Sequence, residues 1–311
     1  MASEQSRALS DHYRRSNAVA AMNPPLSLAQ MRDLDEHWGD VTAEPGGVNY
    51  VEVEAAGVRA LWAEPHGATT DRVLLCLHGG GFIGGSIYTH RKMFAHLAKS
   101  VGARALSVDY RRTPEYRYPA PHDDAATAYY WLLDTAGISA RHIAFVGDSA
   151  GAGLAVATAL RARAEGRPLP VALMMLSPWV DLAATAPSLV ANRDSDVLFG
   201  GPTPMNGEAL VSMLVPTGID RKDPLVSPLY ADLSDLPSAY VQVGGAEMLL
   251  DDARCFAERA RAAGVKVELD VFEDQQHTFQ MMAGRAPEAD EAIARLSAWV
   301  RPHLGLDRVR P

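Results

Sequence analysis

Three runs of the chain, VLLCLH at 73–78, IAFVGD at 143–148 and ALMMLS at 172–177, are apolar almost without interruption. A strand with one wet face alternates apolar and polar side chains, so unbroken runs of this length belong to strands covered on both faces. Helical periodicity appears at 91–100, 123–134, 150–165, 251–263 and 288–300, and all but the last of these stretches fall between strand candidates. Strand and helix in alternation predict an α/β fold, a parallel sheet flanked by helices through right-handed crossovers. Further strands are expected at 49–53, 59–63, 105–110, 239–244 and 265–272, which makes eight. Val51 and Val53 alternate with Glu52 and Glu54, which suits an outer antiparallel strand. Two regions break the pattern: residues 1–45, and a stretch from about 182 to 235 rich in Pro, Gly and Asp. An insertion that long between strands reads as a lid or binding element.

Composition narrows the function classes. The 311 residues are 48% hydrophobic, enough for a sizeable core, and carry a net charge of −9. That charge repels phosphate backbones and anionic lipid, so no nucleic acid and no membrane is expected as a partner. No apolar run approaches the roughly 18 residues of a spanning helix, and residues 1–15 lack the apolar centre of a signal peptide, so a cytoplasmic location is expected. Cys76 and Cys255 have neither CxxC spacing nor a ligand cluster and read as small apolar residues.

Chemistry concentrates at strand ends. Gly147-Asp148-Ser149-Ala150-Gly151 follows one apolar run and leads into a helical stretch, the strand–turn–helix setting of a G-x-S-x-G nucleophile elbow. A serine hydroxyl is a weak nucleophile and must be lifted towards its base on a turn too sharp for neighbouring side chains. A capping serine at a glycine-rich helix start is the plainer alternative. Upstream, His78-Gly79-Gly80-Gly81-Phe82 ends another apolar run. There the N–H groups of Gly79 and Gly80, with that of Ala150, are expected to face a developing oxyanion. A phosphate-cradling loop would need GK[ST] or GxGxxG, and neither is present. In the order Ser, acid, His, the candidates for base are His277, in a loop after the last strand, and His303, expected on the surface. Glu247 is the first carboxylate past the strand at 239–244 and is taken as the acid. Asp251 is the runner-up, since acids in a first helical turn are explained by the helix dipole. His78, His90 and His96 lack helical metal-ligand spacing, so no metal is expected. His122-Asp123-Asp124 reads as a helix start. Met205, Met213, Met281 and Met282 fit either a flexible acyl pocket or irregular core space.

HGGGF, VDYRRTPE with the following Tyr118-Pro119-Ala120-Pro121, GDSAGAG, LSPWVDL and QHTFQ occur in order between about residues 70 and 285. As a set they resemble the hormone-sensitive-lipase-like esterases, the bacterial family IV carboxylesterases of the α/β-hydrolase fold. The resemblance implies a Ser149 nucleophile, a His277 base, oxyanion donors at Gly79, Gly80 and Ala150, and no cofactor. It further implies a helical cap made by residues 1–45 and 183–235 over a catalytic domain of residues 46–182 and 236–311, and it leaves open a homodimer through the edge strand at 265–272. The chain departs from the family at Glu247-Met248-Leu249-Leu250-Asp251, where D-P-L-x-D is usual, so Glu247 stands on the acid position.

These features predict hydrolysis of small carboxylic esters, short- to medium-chain, with Phe82 and Trp179 as candidate substrate-binding residues. Lactone or amide hydrolysis by the same triad is the enzymatic alternative. A non-catalytic small-molecule receptor is the alternative of another class; plant gibberellin receptors resemble this family but lack the histidine that stands here as His277.

Overall fold

The computed structural model describes residues 2–200 and 207–306. Its strands, β1 (Val48–Ala55), β2 (Val58–Pro65), β3 (Thr69–Leu77), β4 (Ala103–Val108), β5 (Ile143–Asp148), β6 (Ala172–Leu176), β7 (Ser238–Gly244) and β8 (Val267–Phe272), form one sheet in the order β1-β2-β4-β3-β5-β6-β7-β8. Pairing is antiparallel from β1 to β4 across β2 and parallel elsewhere. Every residue of β5 and β6 is buried, as their sequences require, whereas in β1 the alternation is incomplete because Val51 is exposed along with Glu52.

Alternate side chains of the central strands feed two cores. Leu75, Leu77 and Phe145 pack against α4 (Ala120–Asp134), α5 (Ala150–Ala164) and α8 (Leu250–Ala262) on one face. Leu74, Cys76 and Val146 pack against α3 (Ile87–Val101) and α9 (Pro287–His303) on the other, where Leu9 and Tyr13 of α1 (Glu4–Ala20) join them. The N-terminal segment continues through α2 (Leu28–Glu36), and the insertion before β7 carries α6 (Ser188–Ala191) and α7 (Gly207–Leu214). From β3 the chain winds one way to β4, while β5 begins the winding the other way. The adjacent carboxyl ends of β3 and β5 therefore diverge and open a crevice there.

Several boundaries differ from the sequence expectation for local reasons. Helix α3 starts at Ile87 because the Ser86 hydroxyl accepts from the N–H groups of Tyr88 and Thr89, both at 3.1 Å. Helix α9 runs to His303, which is half-buried with Nδ1 2.9 Å from the Trp299 carbonyl oxygen rather than free on the surface. Helix α4 starts at Ala120, and Asp124 takes the Arg111 N–H at 2.8 Å and pairs with its guanidinium rather than acting as a simple cap. Cys255 is only half-buried.

The acids opening α8 do more than face its dipole. Buried Asp252 accepts the N–H groups of Val180 and Asp181, each at 3.0 Å, and Asp251 accepts that of Ser188 at 2.9 Å. The two carboxylates thus fasten the start of the insertion to the turn beside Glu247. Burial pushes the Asp252 carboxyl up to about 8 against the pull of those two N–H groups, with the charges of Asp181 and Glu247 adding to the rise. The folded protein therefore holds a proton that the unfolded chain releases between pH 3.8 and about 8, and this group's contribution to stability falls as pH rises through that window. Asp252→Ala, which strands two buried N–H groups, should lose about 2–4 kcal/mol in denaturant unfolding. Asp252→Asn should lose much less at pH 7 and flatten the dependence of Tm on pH over the same window.

Candidate active site

The elbow forms because the backbone has no room for side chains beside it. Ser149 sits between β5 and α5 at φ 52°, ψ −123°, a strained conformation that costs about 1–3 kcal/mol and lifts the side chain out of the turn. A Cβ on Gly147 would stand 2.3 Å from the Gly151 carbonyl oxygen, and one on Gly151 would stand 2.0 Å from that of Leu77. The strain is held by main-chain bonds: Ser149 N–H donates to Leu176 at 2.9 Å, and Trp179 N–H donates to Ser149 at 3.0 Å.

The glycine loop after β3 departs from expectation in one donor. Gly79 N–H is committed to Asp148 Oδ1 at 2.9 Å, and a Cβ there would stand 2.3 Å from Oδ2, so Gly79 faces the elbow and not the cavity. Gly80 and Gly81, at φ 108° and 60°, line the cavity instead. Their N–H groups and that of Ala150, in the first turn of α5, meet no acceptor among the described residues.

His277 and Glu247 are both buried, with Nδ1 and Oε2 2.5 Å apart. The other carboxylate oxygen of Glu247 turns back to accept Gly244 N–H at 2.7 Å. Glycines at 244 and 245 permit this turn: Cβ atoms there would stand 2.2 Å from the Gln275 and 2.3 Å from the Glu273 carbonyl oxygens. Asp251 meets Ser188 and Arg254 instead of His277. Burial lowers the His277 pKa, but the charge and hydrogen bond of Glu247, aided by Asp196 and Asp148, outweigh it and hold the imidazole above its ordinary value of 6.5.

The three histidines weighed as metal ligands have structural places. His78 stacks on Tyr110 at 4.2 Å with Nδ1 2.8 Å from the Gly79 carbonyl oxygen, and burial keeps it neutral well below 6.5. His90 Nε2 lies 3.2 Å from Asp148 Oδ2, and His96 Nε2 lies 3.0 Å from the Ala43 carbonyl oxygen. Among the described residues no cluster of His, Cys, Asp or Glu could hold a metal ion.

Ser149, His277 and Trp179 open into one cavity of about 650 Å³, within the usual size for small-molecule sites. Phe82 does not line it: the ring is buried against Tyr110, His122 and Trp179, and the residue's φ is 62°. Met213 lines the cavity, Met281 and Met282 belong to the core with α3 and α9, and Met205 lies outside the described residues. The N-terminal segment contributes Tyr13, Leu34, Asp35 and Trp38, and the insertion Leu198, Phe199 and Leu210. None of these seven stands in a motif, although Ser6, Leu9 and Tyr13 share one helix face by their spacing.

Helix α1 also touches the histidine loop. Tyr13 Oη donates to the His277 carbonyl oxygen at 2.7 Å, and Ser6 Oγ donates to Gln275.

Comparison with known proteins accords with this geometry. The alpha/beta hydrolase fold family matches residues 74–281. An esterase structure from the bacterial hormone-sensitive lipase family aligns with 40% identity and a TM-score of 0.90, covering 98% of this chain and 100% of that one. This chain belongs to that family. Relatives in the same fold family include an acetyl-hydrolase of Streptomyces hygroscopicus, 35% identical over 283 residues and 90% of both chains. An ethyl acetate hydrolase of Pseudomonas putida is 32% identical over 242 residues, 76% of this chain and 75% of its own. No helix among the described residues is long and apolar enough to cross a membrane.

Because Tyr13 holds the backbone of His277, Tyr13→Phe should lower kcat severalfold at nearly constant KM while removing about 0.5–1.5 kcal/mol of stability. Unchanged kcat at reduced stability would make Tyr13 a core residue and nothing more.

Proposed function

We propose that this carboxylic ester hydrolase works through an acyl-enzyme on Ser149, with His277 as base and Glu247 as the acid that orients it. The observation carrying the assignment is the 2.5 Å contact of His277 Nδ1 with Glu247 Oε2, beside a cavity that Ser149 and His277 share. That contact keeps a proton on Nδ1 and leaves Nε2 to take the serine proton. Ser149 attacks the ester carbonyl, and the N–H groups of Gly80, Gly81 and Ala150 receive the oxyanion, each such donor being worth about 10²–10³ in rate. His277 then protonates the departing alcohol, and water repeats the attack on the acyl-enzyme. The N-terminal helices and the insertion serve as a cap over the cavity. Its mainly apolar wall, with Trp179 on one side, supports short- to medium-chain esters as substrates. A homodimer would form along β8, which ends the sheet.

Ser149→Ala should fold and lose hydrolysis of p-nitrophenyl butyrate to background, and a fluorophosphonate should label Ser149 in the unaltered protein and no other serine. Glu247→Gln, which favours the wrong imidazole tautomer, should lower kcat by up to about 10⁴. Asp251→Asn should keep kcat and lose only a little stability. Since the base must be neutral, kcat/KM for a neutral ester should fall with decreasing pH through a midpoint above 6.5, and Glu247→Gln should move that midpoint down.

A further inference from the structure

Asp35, near the end of α2, lines the cavity with its carboxylate and accepts no hydrogen bond from any described residue. Its place is made by Gly84, where a Cβ would stand 2.0 Å from Asp35 Oδ2. The Gly84 N–H is turned away, donating to the Gly80 carbonyl oxygen at 2.9 Å. The charged neighbours are engaged elsewhere. Arg32 donates to the Ile83 and Thr113 carbonyl oxygens at 2.9 and 2.8 Å and to Glu115, while Arg112 donates to that of Gly85. Glu36 takes the hydroxyls of Ser86 and Thr89 at 2.9 and 3.0 Å. Burial raises the Asp35 carboxyl to about 6, with Glu36 adding and Arg112 and Arg32 opposing, so at neutral pH the group is chiefly a carboxylate.

Asp35 is half-buried, beside Met31, Leu34, Trp38 and Ile83 in the lining, and its carboxylate is left as an acceptor for a donor in the cavity, a role water fills when the cavity is empty. The loop that seats it is the one that carries Gly80 and Gly81, so a donor bound at Asp35 belongs to a molecule whose other end can reach the reacting centre. We infer that Asp35 is a specificity-determining residue, accepting a hydroxyl or ammonium group at the end of the ester remote from the reacting carbonyl. Substrates of this site are then esters with a polar, hydrogen-bond-donating terminus rather than plain hydrocarbon chains. This rests on the ester-hydrolase reading above.

Two matched pairs test it, each equal in non-hydrogen atoms: p-nitrophenyl 6-hydroxyhexanoate against p-nitrophenyl heptanoate on the acyl side, and 4-hydroxybutyl acetate against pentyl acetate on the alcohol side. In one pair the hydroxyl member should show the higher kcat/KM, and Asp35→Leu should reverse that order through a relative change of about tenfold or more. Asp35→Asn, which keeps the shape and an acceptor, should weaken the preference without reversing it, and it serves as the readout if the leucine variant misfolds. Equal changes for both members of each pair, or an unaltered order in Asp35→Leu, would overturn the inference and leave Asp35 a packing residue of the Gly84 loop. Calorimetric binding of both pairs to Ser149→Ala reads the same preference without turnover. A wild-type protein that hydrolyses none of the four esters therefore counts against the hydrolase reading, while equal binding of the two members in both pairs to Ser149→Ala counts against Asp35.

Discussion

The buried carboxylate of Asp148 is the joint on which the site depends. It stands at the end of β5 immediately before the strained serine, accepts Gly79 N–H from the end of β3 through one oxygen, and meets His90 of α3 through the other. A carboxylate removed from water is tolerated only with such partners, so the contacts that satisfy it also fix the glycine loop against the elbow. With Gly79 turned inward, the next two glycines face the cavity on the same side as Ser149. The positions of Ser149 and of the Gly80 and Gly81 N–H groups are therefore tied together through one side chain rather than set by two independent loops.

Topology supplies what local chemistry cannot. Ser149, Glu247 and His277 come from turns after β5, β7 and β8, almost a hundred residues separating the first two, yet parallel strands end on the same edge of the sheet and bring all three turns together. The closing contacts come from outside the sheet. Tyr13 of α1 holds the His277 backbone, Phe199 of the insertion lies edge-on to its ring at 4.9 Å, and Asp252 ties the root of the insertion to the helix after Glu247. The segments that wall the cavity and those that contact the histidine loop are thus the same segments.

The sheet, and the turns that carry Ser149, Glu247 and His277, were legible in the sequence because each has a local cause. Continuous apolar runs mark doubly covered strands, and Gly147 and Gly151 mark a turn with no space for Cβ atoms. What escaped were contacts between segments distant in the chain. Gly79 reads like Gly80 and Gly81 until Asp148 is placed beside it. Phe82 follows the glycines as though it faced the cavity, but its ring lies in the core against Tyr110 and His122. Asp251 and Asp252 look like residues facing a helix dipole until the insertion is seen hanging from them. Asp35 and Tyr13 belong to helices whose lengths and faces are readable, but whose docking against the glycine and histidine loops is not.

The glutamate at 247 shows how one such long-range fit absorbs a departure from the family pattern. An extra methylene adds reach and rotamer freedom, and an acid that swings loses its hold on the imidazole tautomer. Here the added length is taken up by folding the side chain back so that one oxygen accepts Gly244 N–H while the other meets His277 Nδ1. The bond to the strand end fixes the carboxylate at both oxygens and restores the definition that the longer chain would otherwise cost. It requires the loop at 273–277 to lie directly on Gly244 and Gly245, where any side chain would collide with its carbonyl oxygens. The glutamate, the glycine pair and the packing of the histidine loop therefore form one unit.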